Sequence, residues 1–364
     1  MNLLLNMNHF RMEAQNVLSR PDGELSLGAQ PEMSRFGKLN FLKRILLSSS
    51  GRAALALLLV LAVGMVFNAE GTFFNLGTHR DTLRELSVFG ILACGQTLVI
   101  ITGGIDLSVG SVAALAAVCA ATMAIHWNWS AWLVVLCCLL VGAATGSVTG
   151  LVTARLGVQP FIATLAMMVM ARGLAKYVSG GMQVSTAIQN PDGTFRYVSV
   201  PPLFNAIGAR IWGGDLAVVT LIFAFCAVVA WLALSRLCWG RYLYAIGGNE
   251  EAARLSGIPV VTAKTLAYIA SGIFAAAAGL CLAAQEQQGS PDSGNGYELT
   301  AIAMVVIGGT NLMGGRGGMG LTLLGVLTIG YLDKILSINA VPLAGRLMLT
   351  GIIIVVAVLA QRKK

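Results

Sequence analysis

LSVFGILACGQTLVIITGGIDLSVGSVAALAAVCAATMAI, residues 86–125, carries a single charged side chain, Asp106. Leu86–Ile105 gives 20 residues without Asp, Glu, Lys or Arg, and Leu107–Ala154 gives 48. A helix crossing a bilayer needs about 20 mainly apolar residues, within a range of about 17–25. The first run therefore reads as one span. The second is long enough for two, split near His126-Trp127-Asn128-Trp129-Ser130, where the tryptophans suit a membrane interface.

Working outward, charge-free runs recur at 53–69, 156–171, 216–235, 265–285, 299–315, 317–332 and 347–361. Together they predict an all-α, polytopic membrane protein of about ten spans. Composition excludes a soluble domain: 56% of the residues are hydrophobic and 11% charged, against about 25% charged in ordinary chains.

The net charge of +8 reflects topology, and no nucleic-acid partner is expected. With a cytoplasmic N-terminus, residues 1–52, 153–160, 235–264, 310–318 and the tail face inward and hold 16 of the 24 Lys and Arg. That is the positive-inside pattern. An even number of spans returns Arg362-Lys363-Lys364 to the cytoplasm as well. Residues 1–52 read as a polar cytoplasmic extension and 53–361 as the transmembrane domain. The basic stretch ahead of the first apolar run is far too long for a signal peptide.

The seven cysteines lie in or beside apolar runs and read as small buried hydrophobes. His9, His79 and His126 are scattered without metal-ligand spacing, so no metal site is expected. Small residues let helices pack closely in lipid. Gly142, Gly146 and Gly150 form one such stripe and Ser271, Ala275 and Gly279 another, both expected to serve packing within the chain. Two segments read as outer links and candidate docking surfaces for an external partner. The larger, about 179–214, includes the turn signal Asn190-Pro191-Asp192-Gly193; the second is 283–299.

The opening motif recurs. GGIDLSVG (103–110) returns as GGTNLMGG (308–315), each copy following a run expected to cross from outside to inside. Internal repeats are common in transporters, and the pattern suggests a duplication.

GRYLYAIGGNEEAARLSGIPVV, residues 240–261, interrupts the apolar sequence in the inward-facing loop 235–264. It predicts a short helix with Asn249 as N-cap, Glu250 and Glu251 at the positive end, Arg254 towards the other end, Gly257 at C′ and Pro259 preventing continuation. A compact helix held between two spans is a natural contact for a cytoplasmic partner.

Glu251-Ala252-Ala253-x-x-x-Gly257 resembles the start of the EAA signature of ABC importer permeases, although Ile258-Pro259 follows the glycine directly, so only the first half matches. GGIDLSVGS, GRYLYAIGGNEEAARLSGI and VVIGGTNLMGGRG, in that order, resemble the monosaccharide branch, the ribose, xylose, arabinose and galactose type. Gln159-Pro160-Phe161-Ile162-Ala163-Thr164-Leu165 with Arg172-Gly173 fits the same branch. The resemblance spans roughly residues 53–360. It implies a bacterial inner-membrane, multi-pass permease with no catalysis of its own and no bound cofactor. ATP would be handled by a separate cytoplasmic ATP-binding subunit, a second permease chain (a copy or a close paralogue) would complete the pathway, and a periplasmic sugar-binding protein would deliver the solute. The absence of a Gly-x-x-x-x-Gly-Lys-Ser/Thr motif agrees with this division of labour.

By the same resemblance, Gly240, Arg241, Asn249, Glu250, Glu251, Ala252, Ala253, Arg254 and Gly257 couple the chain to the ATPase. Candidate pathway residues are Gly103, Gly104, Asp106, Ser108, Asn311 and Gly314, with Gln96 and Thr97 one turn upstream. An ion-coupled secondary transporter would need ionisable groups at mid-membrane depth, and no carboxylate is expected there. An intramembrane aspartyl protease would need two apposed carboxylates, and Asp333 falls at the opposite face from Asp106. A branched-chain amino-acid permease stays open. Asp106 itself reads as a backbone device: Gly103-Gly104 ends one span and Asp106 caps the next, a role that Asn311 can fill in the second copy.

Overall fold

The structure, a computed structural model, describes residues 48–189 and 194–361. These all belong to the unit Leu46–Lys364. Most of the expected 1–52 extension, the Asn190–Gly193 turn and the Arg362–Lys364 tail lie outside the described residues; residues 49–52 open the first helix.

The helices are α1 (Ser49–Val66), α2 (Leu76–Ile101), α3 (Val109–Ala121, prolonged by a π-helical turn, Thr122–His126), α4 (Ala131–Ala154), α5 (Pro160–Ser179), α6 (Pro202–Gly208) and α7 (Val218–Ser235). They continue with α8 (Cys238–Gly248), α9 (Glu250–Leu255), α10 (Val260–Glu286), α11 (Tyr297–Ile307), α12 (Met319–Ile338) and α13 (Leu343–Gln361). Segment 179–214 folds mainly into α6 and two small antiparallel pairs. β1 (Ala187–Gln189) pairs with β2 (Phe195–Tyr197), and β3 (Arg210–Ile211) with β4 (Leu216–Ala217), just beyond the segment.

Among the described residues, eight helices are long and apolar enough to cross a membrane: α1, α2, α3 with its π turn, α4, α5, α7, α10 and α12. The other two expected spans correspond to shorter apolar helices, α11 and residues 343–353 of α13. With 11 residues, α11 is about 16 Å long, half of a hydrocarbon core about 30 Å thick. The run 299–315 is thus a half-helix, ended by Gly308 and by Gly309 in the left-handed region.

Helices α2 and α10 run antiparallel. Gln285 Nε2 donates to the Arg84 carbonyl (3.2 Å), Gly95 packs on Ser271, and Gly104 lies beneath Tyr268. Ile101 and Val260 therefore share a face with α9, the α9 face, and Glu286 lies on the far face.

Helix α10 is the centre of the core, packed by α2, α3 and α4. The glycine stripe explains how α4 comes so close. A Cβ on Gly142 would meet the Gly272 carbonyl, and one on Gly146 the Tyr268 carbonyl. One on Gly150 would lie 2.8 Å from the Thr265 Cα. The second stripe faces another way: Ser271 meets α2 at Gly95, and Gly279 meets α3 at Ala113. Both stripes hold the chain to itself, as their spacing predicts.

Candidate functional site

A helix that stops inside a bilayer must find partners for its free backbone groups. Helix α2 stops at Ile101, with Thr102 as C-cap and Gly103 at φ +80°. The Gly104 amide reaches back to the Val99 carbonyl (3.2 Å). The chain then turns back into the body. Asp106, 2% exposed, accepts from the Ser108 amide (3.0 Å), the Ser108 hydroxyl (2.6 Å) and the Ser271 hydroxyl (2.7 Å). Counting along α10 at about 1.5 Å per residue, Ser271 is about 10 Å from Lys264 and about 22 Å from Glu286.

Asp106, expected at a span end, lies inside the bundle instead, because the segment 103–108 turns back into it. And Ser108, not Asp106, is the N-cap residue of α3. Asp106 instead closes a turn by taking the amide two residues on, a habit of Asp and Asn side chains.

The second copy makes the same turn on the α9 face. Asn311 Oδ1 accepts from the Met313 amide (3.2 Å), and its Nδ2 donates to the Gly314 carbonyl (3.2 Å). The two copies touch. Gly315 N–H donates to the Ile101 carbonyl (2.9 Å), and a Cβ on Gly314 would lie 2.7 Å from Gly103 N and 2.9 Å from the Gly247 Cα.

A re-entrant segment also enters from the far face, which corrects the reading of 283–299 as a simple outer link. Gly289 pairs with Val184 through two backbone bonds of 2.8 Å and lies on α3 at Ala117. By Gly294 the chain has reached Gly110, seven residues earlier on α3 and so about 10 Å deeper. A Cβ on either glycine would collide with the other's carbonyl, so side chains at these positions would push the segments apart.

Arg172 and Lys176 of α5 anchor this segment. Arg172 donates to the Pro291 and Ser293 carbonyls, the latter at 2.7 Å, and Lys176 pairs with Asp292 at 3.1 Å. Helix α11 then starts at Tyr297, whose ring lies 4.4 Å from that of Phe89. The result is two oppositely directed broken elements: α3 climbs from Asp106 to the far face, and α11 descends towards the α9 face.

The candidate pathway residues divide between these places. Gly103 meets Gly314, and Asp106 meets Ser108. Gln96 is fully buried on α2 with both amide atoms lacking a hydrogen-bond partner. Thr97 is equally buried and is bonded to the Ala93 carbonyl (2.6 Å) and Thr322 (2.7 Å). Gly104 is covered by Tyr268, whereas Gly103 is exposed and Asn311 half-buried.

On the α9 face the predicted short helix is present with its predicted caps. The Asn249 Oδ1 accepts from the Ala252 amide (2.9 Å), and Gly257 follows the C-cap Ser256 at φ +80°. The acids have different surroundings. Glu250 pairs with Lys264 of α10 (2.9 Å) and with Arg254 (3.3 Å), which fastens α9 to the bundle. Glu251 stands out in solvent, 3.9 Å from Arg254. Ala253 is buried beneath the helix and Ala252 exposed. Gly240 serves packing, since a Cβ there would strike the Ala233 and Leu234 carbonyls; Arg241 is exposed and donates to Cys238 Sγ.

The motif reading missed the apolar residues of this face. Leu255 is 82% exposed, Leu156 in the α4–α5 turn 71%, and Met313 beside the second turn 82%. A hollow of about 500 Å³ lined by Arg155, Leu156, Arg254 and Pro259 joins the α4–α5 turn to α9. A single leucine after a charged residue is too weak a signal to read from sequence.

Residues 80–358 match the family described as "Branched-chain amino acid transport system / permease component". The chain is 38% identical over 315 residues to the ribose import permease protein of Escherichia coli (strain K12), covering 86% of this chain and 94% of that one. It is 34% identical over 293 residues to the L-arabinose transport system permease protein of the same strain (80% and 84% covered). With the fructose import permease protein of Rhizobium meliloti it shares 31% identity over 327 residues (88% and 87%). No solved structure matches the chain.

Proposed function

The chain belongs to the branched-chain amino acid transport system permease family, and from that premise we propose that it is the membrane-spanning permease subunit of an ATP-driven importer for a monosaccharide. The observation that carries this reading is near full-length similarity to three permeases named for sugars. It outweighs the family's general description, which names branched-chain amino acids.

The chain is a multi-pass protein of the bacterial inner membrane, with the α9 face cytoplasmic and the far face periplasmic. A separate ATP-binding subunit docks on the α9 face and a periplasmic binding protein delivers the sugar to the far face. Two permease chains, identical or closely related, complete the pathway, which follows the broken segments Gly103–Ser108 and Asn311–Gly314 with Gln96 and Thr97 behind them. The exposed Glu251, Arg254 and Leu255 meet the ATPase, while Glu250 and Lys264 transmit its movement to α10, since their ion pair ties α9 to that helix.

The test is uptake in cells of the source organism lacking this gene, measured with labelled ribose, arabinose, fructose and leucine. Loss of uptake for one sugar, restored by the intact gene, is the expected result. Loss for leucine alone overturns the sugar reading. A second experiment addresses coupling. Gly257→Val has open space for its side chain but a backbone conformation that valine resists. It is expected to abolish sugar-stimulated ATP hydrolysis in a chain that still reaches the membrane; normal stimulation would remove α9 from the coupling role.

A further inference from the structure

Because α11 begins below the far face, space is left above it and alongside its first two turns. That space is a cavity of about 570 Å³ between α2, α10, α11, α12 and α13. Its size falls in the range of about 300–1,000 Å³ typical of small-ligand sites.

Phe89 and Tyr297 form an aromatic wall, with ring planes inclined at 43°. Gln285, Asn295 and Thr300 add neutral hydrogen-bonding groups. Thr300 lies about one helical turn below Tyr297, and Met304 one turn further down, so the lining grades from polar at the mouth to apolar at depth. Gln285 Nε2 is taken by the Arg84 carbonyl and the Thr300 hydroxyl by the Gly296 carbonyl, but Gln285 Oε1 and the Asn295 amide keep hydrogen-bonding capacity that water or a solute can use and a lipid chain cannot.

Four of the charges at the mouth are paired with one another. Lys334 holds Glu85 at 3.2 Å, and Arg346 holds Asp333 at 2.9 Å. Glu286 accepts from the Ser293 hydroxyl (3.3 Å). An anion, or the carboxylate of a zwitterion, would have to break one of these ion pairs to find a counter-charge; only a cationic group has a partner left, Glu286. A neutral polyol needs none: its hydroxyls match Gln285, Asn295 and Thr300, and its C–H face can lie on the Tyr297 and Phe89 rings.

We propose that this cavity is the far-face station where the chain holds a monosaccharide between its release by the binding protein and its passage inward. The inference rests on the sugar-permease reading above and adds the site to it. Gly110 and Gly294 lie outside the lining and act on it indirectly, because their backbone contact sets how deep α11 starts.

The experiment uses the whole transporter, permease with ATPase and binding protein, in proteoliposomes supplied with radiolabelled D-ribose, L-arabinose or D-fructose. Failure of the wild type with all three would overturn the sugar reading without touching the cavity's geometry. Given a transported sugar, Thr300→Trp, which fills the hollow, is expected to lower uptake at least tenfold in complexes that assemble at wild-type yield. Thr300→Cys supplies a readout independent of that bulk. A membrane-impermeant thiol reagent added on the far face should modify it, and sugar-loaded binding protein should slow modification at least threefold. Uptake within twofold of wild type for the tryptophan variant, or a cysteine that the reagent reaches at the same rate with and without sugar, would overturn the proposal.

Discussion

At Asp106 the side chain accepts the amide of Ser108, two residues on; at Asn311 it accepts the amide of Met313, also two residues on. The two turns share a spacing and a backbone hydrogen bond, and their environments differ completely. The first is buried in the bundle and bonded to α10 through Ser271, and α3 begins at once with Val109. The second lies on the α9 face next to the exposed Met313, and α12 does not begin until Met319. A single local device is therefore used once to restart a helix inside the membrane and once to shape a surface loop. What separates the uses is the partner supplied from elsewhere in the chain.

This difference sets an order of effects. Asp106→Leu removes the acceptor for three donors and leaves two serine hydroxyls and an amide buried without it. Stability should fall by about 3 kcal/mol, given roughly 1–3 kcal/mol for each buried group left unsatisfied. Thermal unfolding of the detergent-purified chain measures it, and a loss below that of the surface turn would break the comparison.

Asp106→Asn is milder. Its Oδ1 keeps both Ser108 bonds, and its Nδ2 can donate to the Ser271 oxygen with that hydroxyl reversed. The expected cost is about 1–2 kcal/mol, that of exchanging charge-assisted bonds for neutral ones.

At the second turn, Asn311→Leu removes one accepted and one donated bond at a half-buried site, for about 1 kcal/mol. Smallest of all is Asn311→Asp, which keeps the bond from the Met313 amide and loses only the one donated to the Gly314 carbonyl; a cost of about 0.5 kcal/mol is expected at this half-buried site. An aspartate there that destabilises more than Asp106→Asn would mean that burial is not what distinguishes the turns.

Much of this was legible in the sequence. Charge-free runs locate the spans because a bilayer excludes charge over a fixed length. The caps of α9 are legible because Asn249, Gly257 and Pro259 each have a local conformational preference. The two turns announce themselves as a repeat.

What was not legible depends on contacts between distant segments. The run 299–315 has the hydropathy of a full span, and nothing local says that residues 287–296 dive 10 Å along α3 first. Arg172 gave no sign of its role because its partners are backbone carbonyls at Pro291 and Ser293, which leave no residue signature. For Asp106 the sequence implies a cap between two spans, whereas Ser108 is the N-cap and Asp106 lies deeper, bonded to Ser271. The glycines beside it show that the chain turns, and only Ser271 shows how deep. Glu250 and Glu251 are adjacent and chemically equivalent, yet Lys264 makes one of them structural.

The central claim is that the transporter is driven by ATP at the α9 face, with the buried acid serving the backbone. It is tested most directly by sugar uptake through Asp106→Asn in proteoliposomes containing the ATPase and binding protein, with ATP supplied and a protonophore present. At least half of wild-type uptake, unchanged by the protonophore, is the predicted result. Abolished uptake in a well-folded asparagine variant, or wild-type uptake that collapses when the proton gradient is removed, would contradict it.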